Sequence, residues 1–401
     1  MRIAPPIQIH LRFFTRKSSS IYIVIIGWDR RLCTFFQKYP IVNQPTLKCN
    51  FPHMTIFVYF TQKLYNCLSF LHIESPSIDF YNKGIAHVQV DWEVSQLEAL
   101  SRNFFLYLSK NQPLNKLANL YGIRMVKGKI VGGVSFDQAV PFIQQLNQTG
   151  MSVTVDHLGE YVADPQTAVK RAGEVVAALE LIKSANLDAQ VSLKLTSLGL
   201  DISEELVRLN LRRILTAADR LDVMVTIDME DSERCQKTLG LFQELKAEYQ
   251  NVSTVIQAYL YRSSDDLDRL QHLQPFIRLV KGAYKEPKSV AFPEKRDVDV
   301  NYRKLITKQL DSGSYTAIAT HDDRMVSFAK HYALEKGIGK DKFEFQMLYG
   351  MRQQLQQELV KQGYKVRIYL PYGDDWYGYF MRRLAERPAN IAFAFKGMTQ
   401  K

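Results

Sequence analysis

Two adjacent arginines, Arg382 and Arg383, stand just before Glu386 in the stretch MRRLAERPAN. Side-by-side guanidinium groups make a fork of N–H donors suited to a carboxylate or a phosphate; the alternative is a solvated helix face carrying an Arg382 to Glu386 pair. Other candidates lie far off in the chain. Lys194 is flanked by Leu193 and Leu195, so alternation turns it with Ser192 and Thr196 to the other face, where a buried ammonium needs a partner and an ion pair is the simplest one. Asp228, in TIDMEDSER, is a candidate acid or base, or else a helix cap, a role that Asp231 or Ser232 fills more naturally. Arg278 and Lys281, in IRLVKGAY, set two cations beside Gly282, whose bare backbone lets a phosphate or a flat ring come close. Either Lys281 or Lys194 is also a candidate for a Schiff base with a carbonyl substrate. Thr320 and His321 close a further apolar run, the histidine being a ligand or a hydrogen-bonded core residue. There is no H-E-x-x-H and no Cys/His cluster, so no metal site is expected.

Residues so scattered meet only if the elements that carry them end in one place. Short apolar runs at 152–156, 190–195, 223–228, 254–259, 276–282, 316–321, 343–348 and 366–370 read as strands, each followed by an amphipathic stretch. After the first, Asp164 suits an N-cap and Pro165 the first helical position, while Ala168, Ala172, Val175, Leu179 and Ile182 share one face. Eight such units predict an α/β fold, a closed (βα)8 TIM-like barrel, rather than an open doubly wound sheet. The first strand leads into VDHLGEYVAD instead of a G-x-G-x-x-G, and GIGKDK near 337 lacks both a third glycine and a preceding strand. In such a barrel functional residues come from C-terminal strand ends. Those ends read Asp156 to Glu160, Lys194, Asp228, Gln257, Arg278 with Lys281, Thr320 with His321, Gln346 and Tyr369. A last helix, capped by Asp374 or Asp375, presents the arginine pair and Glu386 over the mouth and turns Trp376, Phe380 and Leu384 the other way.

Three segments are expected: an N-terminal extension of uncertain structure at 1–92, a helical preface at 93–150 and the barrel at 151–401. The preface rests on WEVSQLEALSRNFFLYLSK, PLNKLANLYG and DQAVPFIQQLNQ, whose leucines and aromatics recur at helical spacing. Hydrophobic content of 46% and charged content of 23% are those of a globular protein. The longest uncharged apolar runs, IYIVII and MTIFVYF, fall well short of the roughly 20 residues of a spanning helix. Of the net charge of +11, +7 lies in residues 1–78, so the barrel is only mildly basic. Its cations sit at strand ends and not along one recognition helix, and no nucleic-acid partner is expected. The four cysteines show no C-x-x-C spacing and only Cys235 lies in the barrel, which fits a reducing compartment and a cytoplasmic location. The basic, acid-free opening reads either as a transit peptide or as a poorly structured extension.

The motifs DHLGE, SLKLTSLG, VIQAY, IRLVKGAY, EFQMLYGM and IYLPYGDDWYGYFMRRLAERPAN, in this order over about residues 97–396, resemble the monofunctional bacterial proline dehydrogenases. The resemblance implies a distorted (βα)8 barrel with non-covalently bound FAD, which oxidises L-proline to Δ1-pyrroline-5-carboxylate. It further implies a membrane quinone as electron acceptor, and with it contact with the inner face of the cell membrane. By motif, Arg382, Arg383 and Lys194 would hold the proline carboxylate. Asp228, Tyr284, Leu348 and Tyr369 would surround the ring, Glu386 would support the polar shell, and Glu160 would close the site against Arg382. Arg278 would lie by the flavin N5, Gln257 and Met229 along the isoalloxazine, and Lys281, Gly282 and Ala283 by the phosphates or ring. Thr320 and His321 would follow the rest of FAD. Asp228 and Arg278 are the residues expected to act in catalysis. The competing readings are another flavin barrel acting on a folate-type substrate and a Schiff-base aldolase. The first 90-odd residues depart from the family pattern and carry no functional reading.

Overall fold

The computed structural model describes residues 130–386, residues 105, 107, 108 and 127, and four short strands nearer the N-terminus; the side chains of residues 383, 385 and 386 fall outside that description. The chain divides into two compact units, residues 1–101 and 102–401. In the first, β1 (Ile25–Gly27) pairs antiparallel with β2 (Thr55–Phe57), and β3 (Asp79–Tyr81) with β4 (Ile85–His87). The second unit holds α1 (Phe136–Gln148), which buries Phe136, Ala139 and Ile143 and falls where the DQAVPFIQQLNQ pattern predicts a helix. The other two preface helices lie outside the described residues, apart from helical positions 105, 107 and 108. No helix among the described residues is long and apolar enough to cross a membrane.

After α1 come eight strand–helix pairs. The strands are β5 (Ser152–His157), β6 (Ala189–Leu193), β7 (Val225–Ile227), β8 (Val252–Gln257), β9 (Ile277–Val280), β10 (Thr316–Ala319), β11 (Phe343–Leu348) and β12 (Lys365–Tyr372). The helices that follow them are α2 (Pro165–Ser184), α3 (Glu204–Leu221), α4 (Ser232–Lys246), α5 (Ser263–Leu270), α6 (Lys295–Asp311), α7 (Asp323–Glu335), α8 (Gln353–Lys361) and α9 (Trp376–Glu386). All eight strands are parallel and close into a barrel in chain order, β12 pairing with β5. The predicted (βα)8 architecture is what forms. In α2, Asp164 accepts from the Thr167 backbone N–H at 2.8 Å, Pro165 occupies the first turn, and Ala168, Ala172, Val175, Leu179 and Ile182 are buried, as their spacing requires.

Pairing register fixes which residues share the barrel interior. Thr154 pairs with Gln190, Asp156 with Ser192 and Ser192 with Thr226, so the polar members of each strand face one way and the valines, leucines and isoleucines between them pack outward on the helices. The lower interior is closed by Arg367, whose Nε donates to Glu344 Oε1 at 2.8 Å, with Gln346 Nε2 on the same oxygen at 2.7 Å. Five strands stop one or two residues sooner than the apolar runs predict, at Leu193, Ile227, Gln257, Val280 and Ala319, and two of these ends shape the site. β6 ends at Leu193 because Lys194 opens a 3₁₀ turn, Leu195–Leu198, which Gly199 terminates at φ +99°; a Cβ there would lie 2.8 Å from Leu206. β9 ends at Val280, leaving Lys281 to Tyr284 in a loop.

Candidate active site

The C-terminal mouth of the barrel is organised around one carboxylate. Asp228 leaves β7 and is only 8% exposed. Its Oδ1 accepts from Ser192 Oγ and from Arg278 Nη1, both at 2.6 Å. Its Oδ2 accepts from Tyr369 OH at 2.8 Å and from Lys194 Nζ at 3.4 Å. Four donors from three strands, β6, β9 and β12, thus converge on one side chain. Helix capping is not its role: Asp231 caps α4, accepting from the Arg234 backbone N–H at 3.3 Å. Burial alone would push the Asp228 carboxyl up, but Lys194 and Arg278 outweigh it and hold the group below the usual range.

Lys194, immediately past β6, is an ion-paired lysine. Its Nζ lies 2.9 Å from Asp156 Oδ2 as well as 3.4 Å from Asp228. Burial works against its charge, yet Asp156, Tyr369 and Asp228 around it hold the ammonium well above its ordinary pKa. Asp156 is pushed the other way, upward, by burial and by the neighbouring Asp228 despite the contact with Lys194. The Arg278 guanidinium lies 5.4 Å from the centroid of the Tyr369 ring. Its Nε and Nη2 are buried with no hydrogen-bond partner among the described residues, and so are Gln257 Oε1 and Asp156 Oδ1. Gln257 spends its amide on the Met229 and Glu230 carbonyls, at 3.4 and 3.1 Å, and Met229 is buried.

Around the rim, Arg382 on α9 has Nη2 4.0 Å from Glu160 Oε1 in the β5–α2 loop and 3.8 Å from Asp375 Oδ2. Arg383 and Glu386 belong to the same helix, but their side chains lie outside the described residues. Trp376 and Leu384 on that helix are buried and Phe380 half-buried, so its apolar stripe packs inward. Tyr284 is half-buried in the loop after β9, and burial raises its phenol well above the ordinary value. Ala283 beside it is exposed. Gly282 takes φ +111°, and a Cβ there would lie 2.2 Å from the Tyr259 ring, so no other residue fits this close approach. Lys281 is held by Asp299 at 2.6 Å and Asp322 at 2.9 Å, in a network completed by Lys295 and Arg324. Thr320 Oγ1 accepts from the Asp322 backbone N–H at 3.1 Å. His321 Nε2 accepts from the Leu348 backbone N–H at 2.9 Å, so the histidine anchors the end of β11, and the Leu348 side chain is half-buried.

Sequence reasoning places Asp156 at a strand end and Ser192 on the inward face but gives neither a role, and it does not single out Glu230, which lies three residues past the end of β7. Glu286, four residues past Gly282, is a further one: it receives the Ser232 N–H at 2.7 Å and the Ser232 hydroxyl at 2.6 Å, tying the β9–α6 loop to the start of α4. Nothing local in the sequence marks that contact, because its partner is 54 residues away. No cluster of potential metal ligands occurs among the described residues.

A closed (βα)8 barrel that gathers its charged residues at the C-terminal mouth, with an arginine-bearing helix beside the entrance, has the architecture of the barrel enzymes. The family follows from comparison. The family model described as Proline dehydrogenase matches residues 139–395. Proline dehydrogenase 2 of Bacillus subtilis (strain 168) is 60% identical over 302 residues, 75% of this chain and 100% of that protein. The proline dehydrogenase of Deinococcus radiodurans is 42% identical over 307 residues, 75% of this chain and 99% of that protein. Among solved structures, proline utilization A from Bdellovibrio bacteriovorus inactivated by N-propargylglycine matches with a TM-score of 0.65 at 24% identity, over 77% of this chain and 39% of that one, which speaks for the fold. The chain belongs to the proline dehydrogenase family.

Proposed function

We propose that the protein oxidises L-proline to Δ1-pyrroline-5-carboxylate with FAD as its cofactor and passes the electrons to a membrane quinone. The observation that carries this reading is the four-donor clamp on Asp228, which fixes Lys194 and Arg278 side by side at the barrel mouth. The residues present suit a flavin. Two unsatisfied donors on Arg278 and an unsatisfied acceptor on Gln257 match a planar ring system that bears both carbonyl acceptors and an N–H donor. When bound, FAD supplies the two-electron acceptor for the C–H bond at C5 of proline.

The chain's own residues do the rest. Lys194, Arg382 and Arg383 hold the substrate carboxylate and so fix the position of C5, which removes much of the orientational entropy of the reaction. Tyr284, Leu348 and Tyr369 enclose the ring, Glu386 supports the polar shell, and Glu160 reaches Arg382 from the opposite side of the entrance. Arg278 offers a fixed positive charge where electron density accumulates, without having to reorganise. Met229 and Gln257 line the flavin, and Lys281, Ala283, Thr320 and His321 border the rest of the cofactor. Asp228 organises the site and does not accept the substrate proton, since both its oxygens are taken by strong donors and its carboxyl is held low; the amine loses its proton to solvent as it binds. The aldolase reading needs a lysine amine released from carboxylates, and Lys194 and Lys281 each lie within 3 Å of one.

The test is the visible spectrum of the purified protein, recorded anaerobically before and after L-proline. Flavin absorbance that bleaches with L-proline is the expected result. A flavin that ignores proline yet responds to another reductant keeps the cofactor and discards the substrate, and a colourless protein that FAD cannot reconstitute discards both.

A further inference from the structure

Glu230 is the most deeply buried acid at the mouth of the barrel, with 0% exposure, and the reaction described above makes no use of it. It lies two residues past Asp228, on the segment leaving β7. Its two oxygens are both engaged by one residue of the neighbouring turn: Oε1 accepts from the Thr196 backbone N–H at 3.0 Å and Oε2 from the Thr196 hydroxyl at 2.5 Å. Thr196 belongs to the 3₁₀ turn that Lys194 opens. The clamp therefore holds the turn that sets Lys194 between Asp156 and Asp228. Gln257 secures the other side of the segment through the Glu230 carbonyl at 3.1 Å.

Resting on the proposed carboxylate site, we propose that Glu230 is a positioning residue for anion binding at Lys194, fixing the lysine through Thr196 and setting by its own charge how tightly a carboxylate is held there. The geometry permits the carboxyl to gain or lose a proton without moving. In the neutral form its O–H donates to Thr196 Oγ1 across the same short contact, and Oε1 still accepts the backbone N–H. Burial raises this carboxyl to about 7, against the two Thr196 hydrogen bonds and Lys194, which favour the anion. The charged or titratable groups around it are Lys194 after β6, Glu160 and Tyr161 in the β5–α2 loop, and Tyr284 in the loop after β9. Of these only Lys194 is a cation, so a proton lost near neutral pH places an extra negative charge beside the lysine that receives the substrate anion. The anion then binds less tightly above the inflection.

The test uses the FAD-loaded protein and cyclopentanecarboxylate, a ring carboxylate with no amine and no group of its own titrating between pH 5.5 and 8.5. Its Kd is read by calorimetry and by the shift it causes in the flavin spectrum. The expected result is a Kd that weakens on the order of fivefold as pH rises through about 7, a profile that is flat in Glu230→Gln, and an inflection displaced to higher pH in Thr196→Val, where the carboxylate loses one of its two donors. A flat wild-type profile overturns the inference, as does an unmoved inflection in Thr196→Val or an unchanged one in Glu230→Gln. If Glu230→Gln does not fold, the wild-type and Thr196→Val profiles decide the matter. Binding absent at every pH overturns the carboxylate-site reading together with the inference, while a flat profile with normal binding overturns the inference alone.

Discussion

Asp228→Asn changes one atom of the side chain and should disable the site. The amide keeps an oxygen for Ser192 and Arg278, but its nitrogen replaces Oδ2, which now accepts from Tyr369 at 2.8 Å and Lys194 at 3.4 Å. Tyr369 can turn its hydroxyl and accept; the Lys194 ammonium cannot, and it faces another donor. The buried set also passes from two cations against two carboxyls to two against one, with Arg278 only 4% exposed. Removing one partner of a buried pair costs about 3–5 kcal/mol; because Asp156 still serves Lys194, the lower end applies, about 3 kcal/mol. That is the cost to the fold; in the reaction, where Lys194 and Arg278 are no longer held in place, kcat/KM should fall by roughly two orders of magnitude, a transition-state loss of about 3 kcal/mol. The assay is anaerobic flavin reduction by L-proline in a stopped flow, alongside thermal unfolding, where Tm should fall by several degrees. A variant that reduces its flavin within about threefold of the wild-type rate and melts at the same temperature would refute the claim that Asp228 organises the mouth.

Arg382→Met should raise the KM for L-proline at least tenfold while leaving Tm nearly unchanged, because its partners Glu160 and Asp375 lie at 4.0 and 3.8 Å near the surface; steady-state kinetics with an artificial acceptor show this, and an unaltered KM removes Arg382 from the carboxylate site. Gly282→Ala places a methyl group 2.2 Å from the Tyr259 ring at φ +111°, so the purified variant should lose several kcal/mol of stability and most of its flavin, measured by denaturant unfolding and by the ratio of flavin to protein absorbance. Acid should weaken the fold through His157. Burial, and then Arg171 whose Nη1 donates to Nε2 at 2.7 Å, lowers its pKa from 6.5 to about 4, so between those values the unfolded chain binds the proton and the folded one does not. Stability from this residue is complete above pH 6.5 and lost as pH falls to about 4, by at most about 3 kcal/mol. Unfolding of His157→Gln at pH 7 and pH 5 should show a correspondingly shallower dependence, and a slope equal to wild type excludes His157 as its source.

The barrel was legible because its signals are local. Each apolar run carries its own alternation, the Asp164-Pro165 start of α2 carries its own cap and first turn, and eight such units leave few other ways to bury both faces of every strand. Polar residues at strand ends could likewise be named one by one, since a single strand shows that Ser192 and Lys194 face the same way. What a single strand does not contain is its partner. That Lys194 belongs to Asp156 and Asp228 is a matter of barrel closure, which brings together residues 38 and 34 positions apart. Arg278 reaches Asp228 across 50 positions and Tyr369 reaches it across 141. The same holds for Glu230, an ordinary acid in MEDSER whose burial and side-chain hydrogen bonds to Thr196 exist only once β6 and β7 lie side by side. Sequence by itself determined the eight strands and helices of the barrel and the inward or outward sense of side chains along its strands, because both depend on neighbours one to four residues away. Tertiary structure alone decided which charges meet and which stay unpaired, because pairing in a buried site is set by the register of strands far apart in the chain.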